Sequence, residues 1–188
     1  MGKVSYKKLR GSQNLRQRLL LASLSATPVQ VEDIRANDTD MFYVAGIKFQ
    51  YRPGIVMGGR HLVHDCGVNP AIGYFLKPLV VLGLFSKKPL SIRLKGITYD
   101  SRVCVETFRS ATLPLLKQFG VPSEGLELKI ESRGVPPHGG REVLLSVPII
   151  RSLTAVTRID EGMVMRIRGV TFSTRVSSQF ENTMIHAA

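Results

Sequence analysis

The chain of 188 residues has no tryptophan and only two cysteines, Cys66 and Cys104. Two thiols make no disulfide framework, so stability does not rest on cross-links, and the usage suits a reducing compartment. Aromatic residues are 7% of the chain and do not form the interleaved stacking strip that single-strand binders use. Acidic residues are scarce, 14 Asp and Glu against 26 Lys and Arg. No apolar run reaches membrane-spanning length, because Lys77, Lys87 and Lys88 bracket the longest one. The N-terminal MGKVSYKKLRG lacks the apolar stretch of a secretory signal, and Tyr6 stands where myristoylation needs Ser or Thr. Neither a Walker phosphate loop nor a GxGxxG dinucleotide fingerprint occurs. These absences argue against a secreted cross-linked scaffold, a membrane-spanning helical protein and the common nucleotide-binding folds. The expectation is a soluble intracellular protein with no membrane partner.

What is present is charge and a globular balance. Hydrophobic content of 44% supports one domain with a real core, or one and a part. The formal charge of +12 favours polyanions, RNA first, through counterion release and electrostatic steering.

The stretch Gly11 to Asp38 organises the rest. Leu15, Leu19 and Leu20 recur at helical spacing, and Pro28 stops the helix because it lacks an N–H and pushes its predecessor towards extended geometry. Val29 and Val31 alternate with Gln30 and Glu32 as in a half-buried strand. The helix carries Arg16 and Arg18 near its start, and the strand delivers Arg35. Guanidiniums at element ends suit phosphate, since the planar fork binds oxyanions bidentately; solvated surface arginines are the plainer alternative.

The same unit recurs. Leu24-Ser-Ala-Thr-Pro-Val-Gln-Val31 matches Phe85-Ser-Lys-Lys-Pro-Leu-Ser-Ile92 at a constant offset of 61. A looser third copy places a helix over 103–119 and a strand at Leu126, Leu128 and Ile130. Repetition of helix, short turn and strand points to a symmetric α/β architecture, α+β repeats in a single sequence. The patterning further predicts a basic edge strand over 4–9, strands over 47–51 and 55–57, and a helix over 71–84. Strands over 142–147, 153–159 and 164–172 and a helix beginning near Ser177 complete the outline.

Two motifs resemble chemical sites. His61, His64, Asp65 and Cys66 lie too close together for a tetrahedral metal site on regular structure, and no second Cys/His pair follows at zinc-finger spacing; a polar loop is expected there. Gly58-Gly59 and Gly139-Gly140 allow close approach of a phosphate, or simply turn the chain. No metal and no cofactor is implied.

The segments GSQNLRQRLLLASLSATPVQVEDIRA (11–36), YRPGIVMGG (51–59), IGYFLKPL (72–79), FSKKPLSIRLKGIT (85–98), LELKIESRGVPPHGG (126–140) and RIRGVTFSTRVS (166–177) resemble the RNA 3′-terminal phosphate cyclase family, in its cyclase-like ribosome-assembly branch. The resemblance implies a large domain of repeated α/β units, here incomplete over residues 1–175. It also implies a segment missing near 37–44 and the truncated start of a smaller inserted domain over 176–188. Active cyclases carry a Gly-rich loop with a Glu before the first helix, but here Gly11-Ser12-Gln13 runs into Asn14 without one. Arg16 and Arg35 match family arginines, whereas Lys77 replaces a Gln that active enzymes use near the nucleotide, and Arg141 replaces a loop glycine. The family's nucleophilic His lies in a C-terminal region that has no match here, and His186 is not its counterpart. Without that atom, covalent nucleotidylation has no acceptor.

The resemblance therefore implies a non-catalytic factor in pre-rRNA processing and small-subunit assembly in the nucleolus. Its implied partners are a ribosome-assembly GTPase, the small-subunit processome and pre-rRNA. Arg16, Arg18, Arg35 and Lys77 are the candidate RNA- or phosphate-binding residues. The rival readings are an ATP-dependent RNA 3′-phosphate cyclase and a truncated product without function.

Overall fold

The computed structural model describes residues 5–34, 48–67, 71–98, 104–134, 141–157, 159, 162–167, 169–171, 177 and 179–187. The first unit contains β1 (Lys7–Arg10), α1 (Leu15–Leu24), β2 (Val29–Glu32) and β3 (Phe49–Tyr51). The second contains β4 (Gly59–Asp65), α2 (Ile72–Leu84), β5 (Leu90–Gly96), a long broken helix, β6 (Glu127–Ile130) and β7 (Arg141–Val147). The broken helix runs as α3 (Val105–Thr107), a π turn over Phe108–Thr112, and α4 (Leu113–Gln118). An amphipathic helix, α5 (Gln179–His186), lies beyond, and none of its described residues is buried.

Two mixed sheets result, in the orders β1-β2-β3 and β4-β5-β7-β6. In each, the first pair is parallel and crossed by a helix, as parallel pairing requires. The next neighbour is antiparallel: β3 lies along β2, and β7 along β5. The repeat noted in the sequence is thus a repeat of topology, and β2 and β5 begin at Val29 and Leu90, the expected 61 residues apart.

The main core belongs to the second unit. On α2, Ile72, Leu76, Val80 and Leu84 fall at every fourth position and form one buried stripe. They meet Leu90, Ile92 and Leu94 of β5 and Val143, Leu145 and Val147 of β7, with Val105, Phe108 and Leu113 closing the cluster. On β5 the buried residues alternate with Ser91, Arg93 and Lys95, so this sheet has one covered and one wetter face. The wetter face is charge-balanced: Glu142 pairs with Arg93 at 2.5 Å and Lys95 at 3.3 Å, and Lys129 pairs with Glu131.

Four expectations are corrected. The HLVHDC stretch is not a polar loop: residues 59–65 form β4, an edge strand whose side chains are mostly exposed and so give no alternation to read. Residues 55–57 are not a strand. The carbonyls of Val56 and Met57 instead receive the amides of Lys87 and Lys88, two bonds without a ladder. The helix expected over 103–119 is interrupted by the π turn ahead of Pro114, whose ring crowds the preceding turn and whose nitrogen cannot donate. The described parts of 153–159 and 164–172 form no strand; alternating side chains without a neighbouring strand have nothing to pair with. Among the described residues no helix is long and apolar enough to cross a membrane.

Candidate nucleic-acid interface

Arg16 and Arg18 both emerge from α1, and the fold employs both internally. Arg16 donates from Nη1 to the Tyr74 carbonyl at 2.9 Å, and its guanidinium lies 4.3 Å from the centre of the Tyr74 ring. Arg18 donates from Nη1 to the carbonyls of Arg10 and Gly11, each at 2.9 Å, which fixes the β1–α1 turn. An Arg has five N–H donors, so neither is exhausted, but both guanidiniums are oriented by protein rather than left to a ligand. Lys77 is exposed on α2, one residue ahead of Pro78. Arg35, Gly139 and Gly140 lie outside the described residues, as does the segment near 37–44. Arg16 therefore faces α2, Arg18 faces the end of β1, and Lys77 stands exposed on α2, so the three are not brought to one point.

A more compact cationic corner forms where the α2–β5 turn meets the start of β4. Ser86 fixes the turn, its hydroxyl within hydrogen-bond distance of the carbonyls of Gly83 (2.8 Å) and Lys88 (2.6 Å). The amides of Lys87 and Lys88 then donate to Val56 and Met57, and the Gly59 amide donates to Pro89. Gly58 is required at this crossing. Its φ is +71°, and a Cβ there would stand 1.9 Å from the Lys88 carbonyl oxygen. The result brings Arg60, Lys87 and Lys88 to one corner, all exposed and none ion-paired among the described residues. Elsewhere Glu32 binds Lys48, and Glu106 binds Arg133. Sequence reasoning passed over this corner. Its signal was the Lys87-Lys88 pair with no acid nearby in the chain, but only the fold brings Arg60 beside it.

Such a corner suits phosphate by charge and by access. Among the described residues no three His, Cys, Asp or Glu side chains gather as they would to hold a metal ion. His64 packs edge-on against Phe75 at 5.5 Å between ring centres, and Cys66 is buried. Burial pushes the Cys66 thiol up to about 11, with the Asp65 charge adding to the effect. A thiol so placed is held protonated and is a poor nucleophile.

The family model described as RNA 3′-terminal phosphate cyclase matches residues 38–185. The chain is 53% identical to a probable RNA 3′-terminal phosphate cyclase-like protein of Arabidopsis thaliana, over 98% of this chain and 56% of that protein. It is 39% identical to the human RNA 3′-terminal phosphate cyclase-like protein, over 95% of this chain and 54% of the relative. It is also 39% identical to an rRNA processing protein of Schizosaccharomyces pombe, over 97% and 57% respectively. The chain thus spans about half the length of the curated relatives it matches. The alignment with the Arabidopsis protein runs over 209 positions, more than the 188 residues of this chain, so that relative carries residues inside the matched region that this chain lacks.

Proposed function

The chain belongs to the RNA 3′-terminal phosphate cyclase family, and from that premise we propose that it is a non-catalytic factor of pre-rRNA processing and 40S subunit assembly in the nucleolus. The similarity to relatives named for rRNA processing is the observation that carries this reading. A ribosome-assembly GTPase, the small-subunit processome and pre-rRNA are the partners that the family resemblance suggests. The stretch before α1 supplies further support, because Ser12, Gln13 and Asn14 stand where an active cyclase has an acidic, Gly-rich loop. Within this reading the Arg60–Lys87–Lys88 corner is the RNA-facing surface, and Arg16 and Arg18 hold the scaffold that carries it.

Binding of labelled pre-rRNA fragments across a salt series tests the proposal. Neutralising three phosphate-contacting cations lowers the slope of log K against log salt by about 2 for single-stranded RNA. The variant R60A/K87A/K88A is expected to show that loss, and R93A, from the charge-balanced sheet face, is not. Incubation with labelled ATP separates the enzymatic alternative: a protein–AMP adduct would overturn the non-catalytic reading.

A further inference from the structure

Among the described residues β1 and β3 are the edges of one sheet, and β4 and β6 those of the other. β3 and β6 have three and four residues, too few to offer a second chain much of a ladder. β1 carries Lys7, Lys8 and Arg10, so a copy laid against it would set cation against cation. Shortness and like charge are two ways in which an edge is kept from pairing. β4 has neither. It runs from Gly59 to Asp65 without Pro or Lys, and every side chain after Gly59 is exposed, Leu62 at 41% and Val63 at 63%. Its inner side is engaged by β5. The Cys66 amide donates to the Lys95 carbonyl at 2.8 Å, so by the two-residue period of a strand the amides of His64 and Leu62 face β5 as well. The backbone groups of Val63 and Asp65 therefore point away from β5, and among the described residues no strand lies beyond them.

This edge is complementary to itself. An antiparallel pair that continues a sheet sets residues of one face opposite each other, and both must present their backbone groups outward. A two-fold axis through Val63 satisfies this. Val63 then stands opposite Val63 of the second copy, Leu62 opposite His64, and His61 opposite Asp65 at both ends. Arg60 follows His61 beside the same carboxylate. Centring the axis on Leu62 or His64 instead leaves Asp65 opposite Gly59 or Val63, and the unlike pair is lost. The partners on β5 fix the faces: Val63 lies beside Arg93 on the wetter face, and Leu62 beside Ile92 on the covered one. His61, at a φ of 56°, marks the bulge where the register with β5 shifts, so regular pairing ends there. We infer that two copies of this chain join edge to edge through β4, antiparallel about Val63, into one continuous sheet. Each copy uses this edge once, so the contact closes as a two-fold dimer. The imidazole–carboxylate pairs set the register, because a carboxylate accepts from a histidine N–H in either of its protonation states. A ladder over 61–65 is a small interface, and the dimer is accordingly a weak one. The inference does not rest on the proposed RNA role.

Sedimentation velocity on the full chain, over a concentration series reaching about 100 μM, tests it. A dimer of the 20.8 kDa chain that grows with concentration is expected. V63P removes an amide that points outward and none that binds β5, and an edge strand accepts proline at such a position, so this variant is expected to be folded and monomeric. H61D sets carboxylate against carboxylate at both ends of the ladder, at a positive φ that Asp tolerates, and is expected to weaken association about tenfold. H61D/D65H exchanges the two members of the pair and is expected to recover most of that loss. A wild type that stays monomeric across the series overturns the inference. So does a dimer that survives V63P, or an H61D/D65H chain that associates no better than H61D while far-UV circular dichroism shows both folded. Should V63P not fold, H61D and its exchange partner decide the matter between them.

Discussion

Arg16 supplies the hydrogen bond that Pro78 withholds. In α2 the Tyr74 carbonyl would ordinarily receive the amide of residue 78, but proline has no N–H, and the Arg16 guanidinium donates to that oxygen at 2.9 Å instead. The same group covers the Tyr74 ring, so one side chain of the first unit satisfies a backbone defect in the second. A charged donor of this kind and a partly exposed cation–π contact are each worth about 1 kcal/mol. R16A is expected to lower stability by about 1–2 kcal/mol in urea unfolding. P78A restores a backbone donor, so R16A is expected to cost less in that background. The double-mutant cycle reads the coupling directly. Equal costs in the two backgrounds would show that the carbonyl does not depend on Arg16.

This relationship also marks the limit of what the sequence discloses. The leucine spacing before Pro28 and the apolar stripe before Pro89 expose α1–β2 and α2–β5, because periodicity and a helix stop are local signals. β4 escaped because an edge strand exposed on both faces has no alternation. The stretch 164–172 misled for the converse reason: Met165 and Ile167 alternate with polar neighbours, yet both are nearly fully exposed, with no strand beside them among the described residues. Arg16 and Arg18 read correctly as arginines near a helix start, but their partners could not be read. The carbonyl that orients Arg16 lies 58 residues away, and the need for it arises from a proline in another helix.

Glu142 makes acid stability local and testable. Hydrogen bonds from Arg93 and Lys95, with their charges, outweigh desolvation and hold its carboxyl below the usual 4.5. A carboxylate with a lowered folded-state value contributes stability above the unfolded value and loses it as pH falls through the folded one. Stability is therefore expected to drop below pH 4.5, and E142Q to be flatter in that window while less stable at pH 7. Urea midpoints measured from pH 3 to 7 check both. An unchanged acid limb in E142Q would place the titrating group elsewhere.

Cys66 and Cys104 should separate under alkylation. With its thiol near 11, Cys66 is on the order of 10⁻³ thiolate at pH 8, and it is buried as well. Iodoacetamide on the native protein is expected to leave Cys66 unmodified until urea unfolds the chain, as read by peptide mapping. Modification of Cys66 at native urea concentrations would mean that β4 frays from β5.

The basic corner depends on a glycine that carries no charge. Gly58 lies in the left-handed region, where a side chain is strained by about 1–3 kcal/mol, and its Cβ would meet the Lys88 carbonyl and the Ser86 hydroxyl at 1.9 and 2.8 Å. G58A must push the α2–β5 turn away and loosen the amide bonds that seat Lys87 and Lys88. Gly54, four residues earlier, has open space around it and an ordinary φ, so G54A is expected to be silent. G58A is expected to cost at least about 1 kcal/mol and to weaken RNA binding in the same direction as K87A/K88A, although it removes no charge. That shared direction separates a shaped site from a mere sum of cations. If G58A loses stability but keeps the RNA affinity and salt slope of the wild type, the corner binds by charge alone and the turn's geometry does not enter.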